Sequence, residues 1–223
     1  MRKRLILTIL AACFSAFSAL ADFNPTAYYT IDGVEQETTD AILDAEAPLE
    51  VRFSANPQNL ADGESYFYEW RLTRNGEETP FLTRHEETTT YEFREAGSTT
   101  VQLYVTPLGE QQAELVGTIT VSIANSMLEM PNAFSPNGDG INDIYKAKAN
   151  HRSIIEFHAY IFNRWGQKIY EWTDINGGWD GTWHGKQVKD GTYYVLVKAK
   201  GADGRKYDIK RDVNILRNYT EEM

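Results

Sequence analysis

Asn137, Asp139 and Asp143 stand close together in the stretch PNAFSPNGDGINDIY (residues 131–145), with Asn142 beside Asp143 and glycines at 138 and 140. Carboxylate and amide oxygens on a glycine-punctuated loop are the hard ligands that calcium takes, so calcium is the single candidate cofactor. The spacing is not that of an EF-hand. Ile141 falls at the fifth position, Gly140 at the fourth, and no glutamate stands at the twelfth. The same residues also favour tight turns at Asn137-Gly138 and Asp139-Gly140, in which the carboxylates accept backbone N–H groups in place of a metal. A calcium loop supplies about 6–8 oxygens, and this shortfall favours the turn reading.

Aromatic residues crowd the region that follows. Trp165, Trp172, Trp179 and Trp183, with Tyr160, Tyr170, Tyr193 and Tyr194, could stack on the faces of sugars or could fill a core. Large apolar rings in short β-domains are normally buried, and exposed patches are rare. Trp179 and Trp183, in the glycine-rich stretch GGWDGTWHG, are the candidate glycan contacts. Catalysis finds little material. His85, His151, His158 and His184 are scattered, no HExxH or G-x-S-x-G occurs, and Cys13 is the only cysteine. Asp180 and His184 are four apart, a spacing that does not guarantee proximity in a glycine-rich β segment. The expectation is a protein that is not an enzyme.

Charge divides the chain. Residues 22–125 hold 19 acidic and 5 basic residues, a net of −14, whereas residues 126–223 hold 13 acidic and 14 basic, a net of +1. An acidic half of this strength disfavours a nucleic-acid partner and suits solubility outside the cytoplasm. Arg2, Lys3 and Arg4 precede an apolar stretch that ends in Ala19-Leu20-Ala21, the pattern of a signal peptide cleaved to leave Asp22. Leu10-Ala11-Ala12-Cys13 also fits a lipoprotein signal, but only a short apolar run precedes the cysteine, which favours ordinary cleavage. No later run is long and apolar enough for a transmembrane anchor. The mature chain has no thiol pair, so its cores must hold by burial.

The elements that position these residues are strands. In 47–125, Leu49, Val51 and Phe53 alternate with polar residues, as do Tyr66, Tyr68 and Trp70, then Val101, Leu103 and Val105, then Ile119, Val121 and Ile123. Asp62-Gly63, Asn75-Gly76 and Ala96-Gly97 punctuate them as turns. Residues 28–34 could form a first strand and turn followed by a polar loop, and the stretch 22–46 is either an edge strand of this unit or a leader. After residue 130 the expected strands are 144–147, 154–163, 168–172, 192–200 and 206–216. Ile155, Phe157, Ala159 and Ile161 face one way on the second of them, and an antiparallel sandwich of about seven strands follows.

APLEVRFSA, YFYEW and TTTYEFREAGSTTVQLYV are similar to a PKD-type immunoglobulin-like module, although RLTRNGEE replaces that family's aromatic-Asp-Phe-Gly-Asp-Gly turn. Further on, PNAFSPNGDGINDIY, IFNRWGQKIYEW (161–172) and GGWDGTWHGKQVKDGTYYVLV (177–197) occur in fixed order. Together they resemble the type B C-terminal sorting domain of the type IX secretion system of Bacteroidetes, the gliding-motility-associated C-terminal domain. The organisation expected is a signal peptide at 1–21, a PKD-like sandwich at 22–125 and a sorting domain at 126–223: all-β, two consecutive antiparallel immunoglobulin-like β-sandwiches. The resemblance implies an exported or cell-surface interaction protein whose C-terminal domain directs or docks it to the secretion and gliding machinery. Its partner would be the translocon or an outer-membrane β-barrel. In that family the chain end carries much of the signal, which makes Lys206, Lys210, Arg211 and Arg217 on the last strand the candidate docking residues; residues 218–223 extend beyond it. Two alternatives stay open: a carbohydrate-binding surface module meeting a glycan or another surface protein, and a periplasmic or outer-membrane accessory subunit of the apparatus.

Overall fold

The computed structural model describes residues 22–60 and 62–217, so the signal-peptide and lipoprotein readings of residues 1–21, with Cys13, and the tail 218–223 lie outside the described residues. All regular elements among the described residues are strands. Two hydrophobic clusters form, one drawn almost entirely from residues 27–123 and one from residues 128–215.

The first unit contains β1 (Asp22–Phe23), β2 (Thr26–Ile31), β3 (Val34–Thr38), β4 (Ala41–Ala45), β5 (Leu49–Ser54), β6 (Pro57–Gln58), β7 (Tyr66–Arg74), β8 (Leu82–Arg84), β9 (Thr88–Phe93), β10 (Gly97–Pro107) and β11 (Glu114–Ile123). A four-stranded sheet, β3-β2-β5-β9, and a five-stranded sheet, β4-β11-β10-β7-β8, supply the two layers. Period-two alternation builds them: Thr99, Val101, Leu103 and Val105 of β10 turn inward, as do Leu49, Val51 and Phe53 of β5. Phe53 reaches the buried Trp70 ring at 5.8 Å between centroids. The indole N–H of Trp70 donates to the Glu86 carbonyl at 3.0 Å, so that nitrogen is not stranded in the core.

The stretch 22–46 belongs to both layers. β2 pairs with β5, β3 covers β2 as an edge, and β4 crosses to pair in parallel with β11. Ala27 and Ile42 are buried in the core. The polar loop expected after residue 34 is therefore a strand: VEQET is exposed or nearly so along its length, because an edge strand over a solvated face needs no apolar alternation.

In the second unit, β12 (Ala133–Phe134), β13 (Ile154–Phe162), β14 (Lys168–Trp172), β17 (Gly191–Gly201) and β18 (Lys206–Ile215) form one sheet in the order β12-β18-β17-β13-β14. β15 (Thr182–Trp183) and β16 (Lys186–Gln187) make a short hairpin. The inner face carries Ala159, Ile161, Val195, Val197 and Val213, and irregular chain from 128–147 and 173–190 supplies the residues packed against it. The strand expected at 144–147 reduces to one bridge, in which Tyr145 N–H donates to the Trp179 carbonyl at 2.8 Å and Trp179 N–H to the Tyr145 carbonyl at 3.0 Å. The two segments meet at that single residue pair and do not run side by side.

A short link, 124–127, joins the units, and the turn between β17 and β18 locks them. Ala202 is buried in the first cluster, its carbonyl accepts from Ala96 N–H at 3.0 Å, and its N–H donates to the Ser153 carbonyl at 2.9 Å. Ser126 Oγ donates to Asp203 Oδ1 at 2.7 Å and meets the Tyr207 hydroxyl at 2.9 Å.

Gly178 marks the tightest crossing in the second unit. A Cβ there would lie 2.5 Å from Ile144 Cγ2 and 2.6 Å from the Tyr145 carbonyl oxygen, and the backbone atom cannot swing aside. Gly178→Ala is expected to cost about 1–3 kcal/mol by overpacking, read as a lower urea midpoint. An unchanged midpoint would show that this crossing does not limit stability.

Candidate functional site

The three cassettes meet at one end of the second sheet, where β17 begins at Gly191 and β18 ends at Ile215. The turn that enters the first unit lies at the other end of the same strands, roughly 30 Å away at about 3.3 Å per residue. β12 pairs with Asn214 and Ile215, which brings the 135–143 loop to the cassette end.

In that loop the oxygens serve the backbone. Asp143 accepts from Gly138 N–H at 2.7 Å through Oδ1 and from Gly140 N–H at 2.8 Å through Oδ2. Asp139 Oδ1 accepts from Ile141 N–H at 2.8 Å, Asn137 Oδ1 accepts from Asp139 N–H at 3.1 Å, and Asn137 Nδ2 donates to Asp139 Oδ2 at 2.9 Å. The candidate calcium ligands are thus brought together, with their oxygens turned on N–H groups. Among the described residues no group of three or more His, Cys, Asp or Glu side chains is arranged to hold a metal. The bonds from Gly138 and Gly140 hold the Asp143 carboxyl below its ordinary value.

The second cassette forms a hairpin capped by Asn163, whose Oδ1 accepts from Trp165 N–H at 2.9 Å and Gln167 N–H at 3.1 Å. Gly166, at φ +76, closes the turn and leaves the Trp165 ring 84% exposed. In the third cassette Asp180 Oδ1 holds Thr182 through its N–H (2.9 Å) and its hydroxyl (2.7 Å). His184 sits at the tip of the next hairpin with its ring 4.9 Å from that of Trp183, while the Asp180 carboxylate is turned on Thr182.

Trp179 corrects the glycan-contact expectation. Its ring is fully buried, 5.5 Å from Phe134 and 5.2 Å from Tyr193, with Nε1 donating to the Thr182 carbonyl at 2.8 Å. The glycines around it let the backbone press against Tyr145, and the ring is driven inward. Trp183 is 36% exposed. The exposure of Trp165 was the feature the sequence reading missed; its signal is its place at the tip of a four-residue turn, beyond the reach of the opposite layer.

Residues 128–211 match the family model of the CHU_C type IX secretion signal domain. No curated protein matches the chain. Among solved structures, a tetra-tandem repeat from the extending region of a large adhesion protein is 10% identical, with 88% of this chain and 68% of that one covered, at a TM-score of 0.30. Chicken CNTN1 FN1–FN3 domains are 11% identical over 79% of this chain and 67% of that one, at 0.24. The signal domain match repeats the resemblance drawn from the cassettes.

Within the signal domain and its last strand, the basic residues divide. Lys206 and Lys210 are exposed on the outer face of β18, Lys210 lying 3.7 Å from Asp208. Arg211 and Arg217 are not free cations. Arg211 Nη1 donates to the Met130 carbonyl at 2.6 Å. Arg217, 15% exposed, donates through Nη1 to the Val188 carbonyl at 2.8 Å and to Asp190, and through Nη2 to the Gly181 carbonyl at 3.2 Å. Leu216 and Arg217 bring the guanidinium under the third cassette, where it adds a charged donor to the Val188 and Gly181 carbonyls.

Arg217→Ser is therefore expected to cost about 1 kcal/mol or more, since it strips two half-buried carbonyls and Asp190 of a charged partner. Lys206→Ser and Lys210→Ser should each stay within about 0.5 kcal/mol, as exposed charges do. Chemical denaturation of the three variants checks the order, and an Arg217 variant as stable as the lysine variants would refute the clamp.

Millimolar calcium should leave the melting temperature unchanged, because the carboxylates are already engaged. Acid should loosen the loop. With its folded pKa lowered, Asp143 contributes fully above the ordinary aspartate value of about 3.9 and loses that contribution as pH falls through the lower folded value. Asp143→Asn should flatten the stability profile between about pH 2 and 5. A calcium-dependent rise, or an unaltered profile, would contradict the turn geometry.

Proposed function

We propose that residues 126–223 act as the export and docking label of a type IX secretion machine, and that residues 22–125, a sandwich of PKD-like type, are what the label delivers to the cell surface or beyond. The observation that carries this reading is the signal domain match over 128–211. The convergence of the three cassettes at the end of the sheet away from the first unit supports it, because a partner can reach that end while the passenger is folded. Lys206 and Lys210, on the outer face of β18 toward the opposite end of the strand, supply a cationic approach along the sheet to the translocon or to an outer-membrane β-barrel subunit, and such charges act mainly on the rate of encounter. Arg211 and Arg217 act in this reading by holding the end of the sheet in shape.

One observation favours a second reading. Ala202 of the second unit is buried in the first cluster, and Ser153 Oγ accepts from Ala47 N–H at 3.3 Å. A label read separately from its passenger does not need such interlocking, whereas an accessory subunit that stays with the apparatus as one body does.

In a host with the secretion machinery, Lys206→Ser/Lys210→Ser should slow delivery, measured as protein accessible to protease on intact cells against protein held in the periplasm, at an unchanged melting temperature. Delivery at the unmodified rate would sink docking through β18. A fluorescent reporter fused to 126–223 should reach the surface if the unit is a transferable label; retention of a folded fusion in the periplasm would move the accessory reading ahead.

A further inference from the structure

Trp165 stands in water on a turn capped by Asn163, and Trp183, about a third exposed, stands on β15 beside the loop that Asp180 holds. Burial of an indole removes about 150–250 Å² from water, at about 25 cal/mol per Å². Trp70, Trp172 and Trp179 are buried and make that contribution. Trp165, 84% exposed, does not. Nothing in the fold requires a tryptophan there.

Between the two tips lies a pocket of about 490 Å³, floored by Ile169, Val188 and Tyr193. That is the size of sites that take small ligands, about 300–1,000 Å³. Arg164, Lys186 and Lys189 line it, and Asp190 is its sole acidic group. Asp190 is engaged by Arg217, whereas the three cations have no ion pair among the described residues. The pocket is thus walled by indoles and carries unneutralised positive charge.

We infer that this pocket binds an anionic saccharide chain of the uronic-acid type, with Trp165 and Trp183 stacking on the sugar faces and Arg164, Lys186 and Lys189 receiving the carboxylates. A pyranose ring offers an apolar face to an indole and a rim of hydroxyls to the Gln187 amide at the same edge. A neutral glycan would leave the cations unused, and an acidic peptide would leave the two flat rings unused. The inference does not depend on the export reading, since the pocket is complete whether or not the unit is a label.

The test is titration of the full-length protein with oligogalacturonate, followed by calorimetry and tryptophan fluorescence, beside cellohexaose and poly-glutamate. Saturable binding of oligogalacturonate is expected, weakened at higher salt because the contacts are partly ionic. Trp165→Ala and Lys186→Gln/Lys189→Gln should each weaken it about tenfold or more, with melting temperatures unchanged because these side chains face solvent. Cellohexaose should bind weakly or not at all. Absence of saturable oligogalacturonate binding overturns the inference, as does binding that folded Trp165→Ala leaves intact. Poly-glutamate binding as tightly through the same lysines would make the site an acidic-peptide site and would equally overturn it.

Discussion

The reciprocal backbone pair between Tyr145 and Trp179 is the contact on which the second unit depends. A five-stranded sheet has one face to bury, and here irregular chain does the covering. Such chain brings backbone polar groups inward that must be paired. At the crossing each residue satisfies the other, the Tyr145 hydroxyl donates to the Pro131 carbonyl at 2.9 Å, and the Trp179 indole donates to Thr182. Burial pushes the Tyr145 phenol up, so the hydroxyl stays protonated and available as that donor. With those donors placed, Phe134, Tyr145, Trp179 and Tyr193 close as a run of aromatic contacts. Arg217 then ties the outer loop carbonyls to the end of β18. The first cassette and the loop of the third are therefore parts of one cover, laid over a sheet to which the second cassette contributes β14 and the third the start of β17.

Strands with one buried face were legible because alternation is a local property. The expected strand at 168–172 coincides with β14, and those at 192–200 and 206–216 lie within a residue of β17 and β18. Where no alternation exists it could not help: β3 is polar on both faces, and β12 and β15 are two residues long. The pattern misled at 144–147, where an outward Ile144 beside an inward Tyr145 reads as a strand, although the chain only crosses another segment there.

Side-chain fates at the candidate site were less legible, for a different reason. GGWDG reads as an exposed loop, yet the missing side chain at Gly178 is what allows that loop to lie flat on the core and drive Trp179 inward. Arg217 reads as a free cation until its guanidinium is seen on the carbonyls of Val188 and Gly181. The local chemistry of residues 137–143 was readable because Asx turns are settled within a few residues. Trp165 lay between these cases: its turn was evident, and its consequence needed the neighbouring hairpin.

The junction determines what electrical environment the cassette end experiences. Ser126, Asp203 and Ala202 fix the first unit, with its net charge of −14, to one end of β17 and β18. The cations of the pocket lie at the other end, roughly 30 Å along strands rising about 3.3 Å per residue. The screening length at physiological salt is about 8 Å, so the acidic unit's field has largely decayed over that distance. Were the pocket placed beside the first unit, Arg164, Lys186 and Lys189 would be neutralised within the same molecule. Separation by the length of the sheet leaves them available to an anion from outside, and the interlocked turn keeps that separation from collapsing.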